Sequence, residues 1–179
     1  MKHARLVAMA ADWLQVVHSV TITEMSSAGF ETPDAIGFRG HDTTLIECKA
    51  SRADFLRDRH KWFRAHPELG LGQKRYFLAP VGVIITADIP PKWGLLTAPD
   101  RGGWRDIRIA RKAQAQVRNM QHELELLVSA MRRIGRHVPP GKGVSVRFYR
   151  YSTRNTASLG VAVDDPPQDG GRVTWTARA

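Results

Sequence analysis

The chain has one cysteine, Cys48, so no disulfide can form within it and nothing points to an oxidising compartment. It also lacks any apolar run near the ~18 residues that a membrane span requires. The opening MKHARLVAMAADWLQVVHS is basic at its start, but Asp12, Trp13 and Gln15 interrupt its apolar positions and no small-residue cleavage site follows. An amphipathic helix is expected there rather than a signal peptide, and with it a cytoplasmic protein that does not enter a membrane. His41, His60 and His66 fit no zinc-ligand spacing and have no cysteine pair to accompany them. GLGQK lacks the spacing and the Lys-Ser/Thr pair of a phosphate loop. No G-x-S-x-G elbow is present, and no internal repeat is apparent.

Acidic residues are scarce in one stretch only. Residues 1–100 carry 12 Lys/Arg against 11 Asp/Glu, whereas residues 101–154 carry 13 against 3. Nearly all of the net charge of +10 therefore lies in the third quarter of the chain. A basic segment joined to a near-neutral one suits a polyanion, DNA or RNA first and acidic lipid headgroups second, or else it is a solvated basic surface. A length of 179 residues allows one sizeable core with an appendage, expected as a core over 1–100 and a basic extension over 101–179.

Leu6, Val7, Ala10, Leu14 and Val17 recur at helical spacing and predict an opening helix over 4–18. SVTITEM (19–25), DAIGF (34–38) and TTLIECK (43–49) read as strands, the last two joined by a hairpin at RGHD. A helix over 51–64 follows, with Ser51 as N-cap and Asp54 completing a capping box. RYFLAP and VGVIIT (75–86) supply further strand material, and IPPKWGLLTAP (89–99) a loop and a short strand. From Trp104 to Gly135 the pattern predicts one long basic helix. Its heptad seam, Ala113, Val117, Met120, Leu124, Leu127, Met131 and Ile134, would pack on its own domain or form a homodimer. A strand over 144–152 and a Gly/Pro/Asp-rich tail complete the reading. The fold class expected is α/β, a small mixed sheet flanked by helices, with the long basic helix and an extra strand beyond it.

Strand alternation places Leu45, Glu47 and Lys49 on one face of TTLIECK and Thr44, Ile46 and Cys48 on the other. If DAIGF pairs antiparallel to this strand, Asp34 comes level with Glu47 and Lys49. Two carboxylates held together repel unless a cation joins them, and such oxygen ligands suit Mg²⁺ or Mn²⁺. A lysine beside them could orient or help deprotonate a water, or contact a phosphate. The alternative is a salt bridge on an exposed sheet edge.

Pro33-Asp34, twelve residues, then Glu47-Cys48-Lys49 resembles the signature of the PD-(D/E)XK nuclease superfamily. The order helix, strand, Asp-bearing strand, E-x-K strand, helix, strand is similar to that superfamily's restriction-endonuclease-like core, over about residues 5–86. SRADFLRDRHKWFR, KRYFLAP and IPPKWGLL resemble the MmcB-like repair-associated group within it. The resemblance implies Mg²⁺-dependent cleavage of DNA in repair, recombination or phage and host DNA processing. It also implies Asp34 and Glu47 as metal ligands, the backbone carbonyl of Cys48 as a further ligand, and Lys49 beside the attacking water. Glu24 would be a second-metal group or a surface glutamate, and Gln73 and Lys74 phosphate contacts. Arg105, Arg108, Arg111 and Lys112 would follow a DNA backbone. Asp58, Arg52 and Lys61 are expected on a solvated helix face. A catalytically inactive nucleic-acid-binding module of the same fold is the alternative function.

Overall fold

The computed structural model describes residues 1–27, 31–58, 61, 66–135 and 144–145. They form an α/β structure built on one mixed sheet. The elements in chain order are α1 (His3–Leu14), β1 (Val20–Thr23), β2 (Ala35–Arg39), β3 (Asp42–Cys48), α2 (Arg52–Asp58), β4 (Lys74–Pro80), β5 (Gly94–Ala98), β6 (Arg108–Arg111), α3 (Met120–Gly135) and the two-residue β7 (Val144–Ser145). The sheet order is β6-β5-β4-β3-β2-β1-β7, with β3-β4 and β4-β5 parallel and the other pairs antiparallel.

The hairpin at RGHD forms as expected: Arg39 pairs with Asp42, leaving Gly40 and His41 as a two-residue turn. Gly40 has φ +55, a conformation that an L side chain resists, which is why glycine opens this turn. Two cores then form, one on each face of the sheet. Leu6, Ala10 and Leu14 of α1 meet Ala35, Ile46, Cys48, Tyr76 and Leu78 on one face. On the other, Ile36, Leu45, Phe77 and Leu95 meet Phe55 of α2 and Leu126 and Ala130 of α3. Phe77 is edge-on to Phe55 at 5.1 Å and stacked on Trp93 at 4.5 Å.

Several elements differ from the sequence reading. α1 ends at Leu14, short of the expected Val17 and His18. The VGVIIT stretch is a turn followed by a 3₁₀ turn at Thr86–Asp88, because β4 stops at Pro80, whose ring cannot donate to a ladder. The long helix from Trp104 does not form. Trp104–Asp106 is a 3₁₀ turn, 108–111 is β6, and 112–119 is irregular chain without a helical turn. Tertiary hydrogen bonds override the helical propensity there: the N–H groups of Gln114, Gln116 and Asn119 donate to Lys92, Gln73 and Gly70 carbonyls. α3 begins only after Asn119, whose side-chain oxygen caps the His122 N–H at 3.0 Å. Residues 101–135, read from sequence as a basic extension, thus supply an edge strand of this sheet and part of its core. The second half of the 51–64 helix, and the 144–152 strand beyond Ser145, lie outside the described residues, as does the tail.

Arg75 fastens this arrangement. Its buried guanidinium donates to the carbonyls of Pro67, Gly70, Gly72 and Val117, tying the approach to β4 to the segment that precedes α3. Among the described residues no helix is long and apolar enough to cross a membrane.

Candidate active site

The pairing of β2 with β3 sets Ala35 opposite Ile46, so the next residues outward are Asp34 and Glu47. Both carboxylates therefore reach the same end of the sheet, Glu47 on the face covered by α2. Asp34 Oδ2 accepts the Cys48 N–H at 2.7 Å, which fixes the carboxylate against the end of β3. In a strand the N–H and C=O of one residue face the same neighbour. The Cys48 carbonyl is accordingly turned to the Asp34 side of β3.

Lys49 follows on the same face as Glu47. Its Nζ lies 3.3 Å from Glu47 Oε2 and 3.0 Å from Asp58 Oδ1, and the Glu47 and Asp58 side chains are each only 2% exposed. Lys61 closes the group from outside, 2.8 Å from Asp58 Oδ1 and 4.0 Å from Glu47 Oε2. Asp58 is thus not on a solvated face: the turn of α2 carries it inward over the end of β3. Its i,i+3 pairing with Lys61 is present as the spacing suggested, and Arg52 pairs outward with Asp88. Burial works against the Lys49 charge, yet Glu47, Asp58 and Asp34 outweigh it, and its pKa is raised. Lys49 is a permanent cation here.

The Asp34 carboxyl behaves oppositely. Burial and the Glu47 charge lift its pKa from 3.8 to about 6, against the pull of the Cys48 N–H and of Lys49. At its outer edge His3 Nε2 stands 3.5 Å from Asp34 Oδ1 and 3.7 Å from Glu24 Oε1. Glu24, just past the end of β1, has φ +45, an unusual value for a non-glycine residue. Its N–H is shared between the Pro33 and Asp34 carbonyls, which holds this conformation beside the site.

Two hard carboxylates and a strand carbonyl are a donor set suited to Mg²⁺ or Mn²⁺. The raised pKa of Asp34 reports, beside its burial, the repulsion that a divalent ion would relieve. No group of three or more His, Cys, Asp or Glu residues able to hold a metal occurs among the described residues. Mg²⁺ does not require one, since it keeps several waters and takes one or two carboxylates.

The remaining sequence candidates are dispersed. Gln73 and Lys74 lie at the opposite end of the sheet from the carboxylates: Lys74 opens β4 and pairs with Thr44, three residues before Glu47. Gln73 donates its N–H to Thr43 Oγ1. Arg111 is bound to the carbonyls of Thr86, Ile89 and Pro90. Arg105, Arg108 and Lys112 lie along the β6 edge, the two arginines exposed, and Thr97 pairs with Arg108, which puts Arg108 at the same end of the sheet as Glu47. Sequence reading missed His3 altogether and misjudged Asp58. Asp58 had a signal of its own: it follows Phe55 by three residues, which sets it on the buried face of α2, while Arg57 falls on the exposed one.

No family model matches the chain, and no curated protein matches it. Among solved structures, a protein of unknown function from Silicibacter pomeroyi superposes with a TM-score of 0.56 at 22% identity, over 79% of this chain and 98% of that one. The two share a fold.

Proposed function

We propose that the chain is a divalent-cation-dependent nuclease that hydrolyses phosphodiester bonds in DNA. The observation that carries the reading is the meeting of Asp34, Glu47 and Lys49 at one end of the β2-β3 pair. The order α1-β1-β2-β3-α2-β4, with β1-β2 and β2-β3 antiparallel and β4 parallel to β3, supports a restriction-endonuclease-like core.

In this reading Asp34, Glu47 and the Cys48 carbonyl hold Mg²⁺ or Mn²⁺. The ion, when bound, lowers the pKa of a coordinated water and offsets charge developing on the phosphate. Lys49, kept cationic by Glu47 and Asp58, presents its ammonium to a phosphate oxygen and stabilises the charge of the transition state. Asp58 positions Lys49 and limits its motion. Glu47, paired with Lys49 at 3.3 Å, is held in place as a ligand. Arg105 and Arg108 offer sequence-independent contacts to the backbone on the same side of the sheet.

The test is nicking of a supercoiled plasmid in Mg²⁺ or Mn²⁺, with and without EDTA. Cleavage that stops in EDTA and falls at least about 100-fold in Glu47→Gln and Lys49→Met supports the reading. Equal cleavage by the parent and both variants overturns it. Binding without cleavage in either metal would favour the inactive module, a reading in which Lys49 stays engaged by its two carboxylates.

A further inference from the structure

A second site lies on the other face of the sheet, at the opposite end of β3. Here Trp13 and Val17, at the end of α1 and just past it, stand over Arg39, Asp42, Thr44, Lys74 and Tyr76, around a cavity of about 270 Å³. That is just under the roughly 300–1,000 Å³ typical of ligand pockets, so it fits a small molecule. Thr44 and Glu47 are on opposite faces of β3, so the cavity is separate from the carboxylate site.

Its wall is built rather than incidental. His18 Nδ1–H donates to the Leu14 carbonyl at 3.0 Å, which leaves Nε2 to accept the Thr44 hydroxyl at 3.1 Å. The ring lies against Gly37, where an added Cβ would come within 2.6 Å of it. Burial lowers the His18 pKa, so the ring is neutral and adds no third cation. Trp13 and Tyr76 meet edge to face at 6.1 Å and form an aromatic side. Arg39 and Lys74 are exposed and stand near enough for both charges to act on His18.

We propose that this cavity binds a nucleoside 5′-monophosphate group, either as a free nucleotide or as the 5′-phosphorylated end of a DNA strand. Arg39 and Lys74 hold the phosphate between them. The base packs against Trp13 and Tyr76, as bases do on aromatic platforms. Asp42, the one carboxylate among the lining residues, accepts a sugar hydroxyl or a base amino group. Lys74, remote from the carboxylate site, has its role here. The proposal does not rest on the nuclease reading, since it uses none of the same residues.

Isothermal titration of the full chain in EDTA tests it, with AMP, adenosine, inorganic phosphate, and a short oligodeoxynucleotide carrying a 5′-phosphate or a 5′-hydroxyl. Saturable binding of AMP or of the 5′-phosphorylated strand is expected, with adenosine and phosphate each at least about tenfold weaker. Which of the two probes binds more tightly identifies the source. Arg39→Ala with Lys74→Ala changes only exposed side chains and should weaken binding by at least about tenfold, with thermal melting unchanged. Trp13→Phe should bind normally and Trp13→Ala more weakly. Absence of saturable binding to both probes, unchanged affinity in the double variant, or phosphate binding as tightly as AMP would overturn the proposal.

Discussion

A single carboxyl group, Asp34, gives the site its pH behaviour. The group ionises at 3.8 by its ordinary value and at about 6 in the folded protein. Between those values the folded state keeps a proton that the unfolded chain has lost. The stability contributed by that proton is full below 3.8 and is lost as pH rises through about 6. Thermal melts in EDTA should therefore show the parent losing stability relative to Asp34→Asn between about pH 4.5 and 7. Parallel curves for the two proteins would contradict the burial of this carboxyl beside Glu47. Lys49 has the same sign but acts only at alkaline pH, because its raised pKa keeps it charged throughout this range. Removing its partner should be costly: Asp58→Ala leaves a buried ammonium with Glu47 alone among its close partners and is expected to destabilise by about 3 kcal/mol in urea unfolding. Asp58→Asn, which keeps the shape, should cost less and should lower cleavage through turnover rather than binding.

The elements show what was legible in the sequence and what was not. Alternation in DAIGF and TTLIECK, with RGHD between them, identified the hairpin and therefore the level of Asp34 against Glu47. Local pattern was enough because a two-residue turn fixes register. It failed between Trp104 and Asn119, where alanine and arginine favour a helix but carbonyls of Lys92, Gln73 and Gly70 take the backbone donors instead. Those partners are distant in sequence, and no local propensity reports them. Most of the α3 seam does not pack on its own domain, for a related reason. The heptad seam turns largely outward, with Leu124 61% and Met131 71% exposed, while Leu126 is fully buried. What turns the helix is Glu123, which accepts the Thr43 hydroxyl at 2.8 Å and the Gly72 N–H at 2.9 Å and pairs with Arg118 at 3.0 Å. With Glu123 so held and Leu126 and Ala130 in the core, the rest of the apolar stripe faces outward. Leu126→Ala should cost about 2–5 kcal/mol in urea unfolding at low protein concentration. Leu124→Ala should stay within about 0.5 kcal/mol. The reverse order would place the heptad seam in the core after all.

At the scale of the whole molecule, the sheet separates its charges. The carboxylates gather at one end of β3, and exposed arginines line the β6 edge. An edge strand presents unpaired backbone groups to solvent, and charged side chains such as Arg105, Arg108 and Lys112 discourage pairing with another chain. The same residues would track phosphates. Replacing Arg105 and Arg108 by alanine should weaken binding to DNA of any sequence and lower the salt slope by about one for each phosphate no longer neutralised, measured by fluorescence anisotropy across salt concentrations. An unchanged slope would assign these arginines to edge protection alone. The β2-β3 hairpin also has a consequence for descent. Because side chains alternate along β3, deleting one codon between Asp42 and Glu47 would swing Glu47 through to the α1 side, whereas losing two would return it to its own face. Lineages that retain the acidic pair can therefore drift in the length of this ribbon only by even steps.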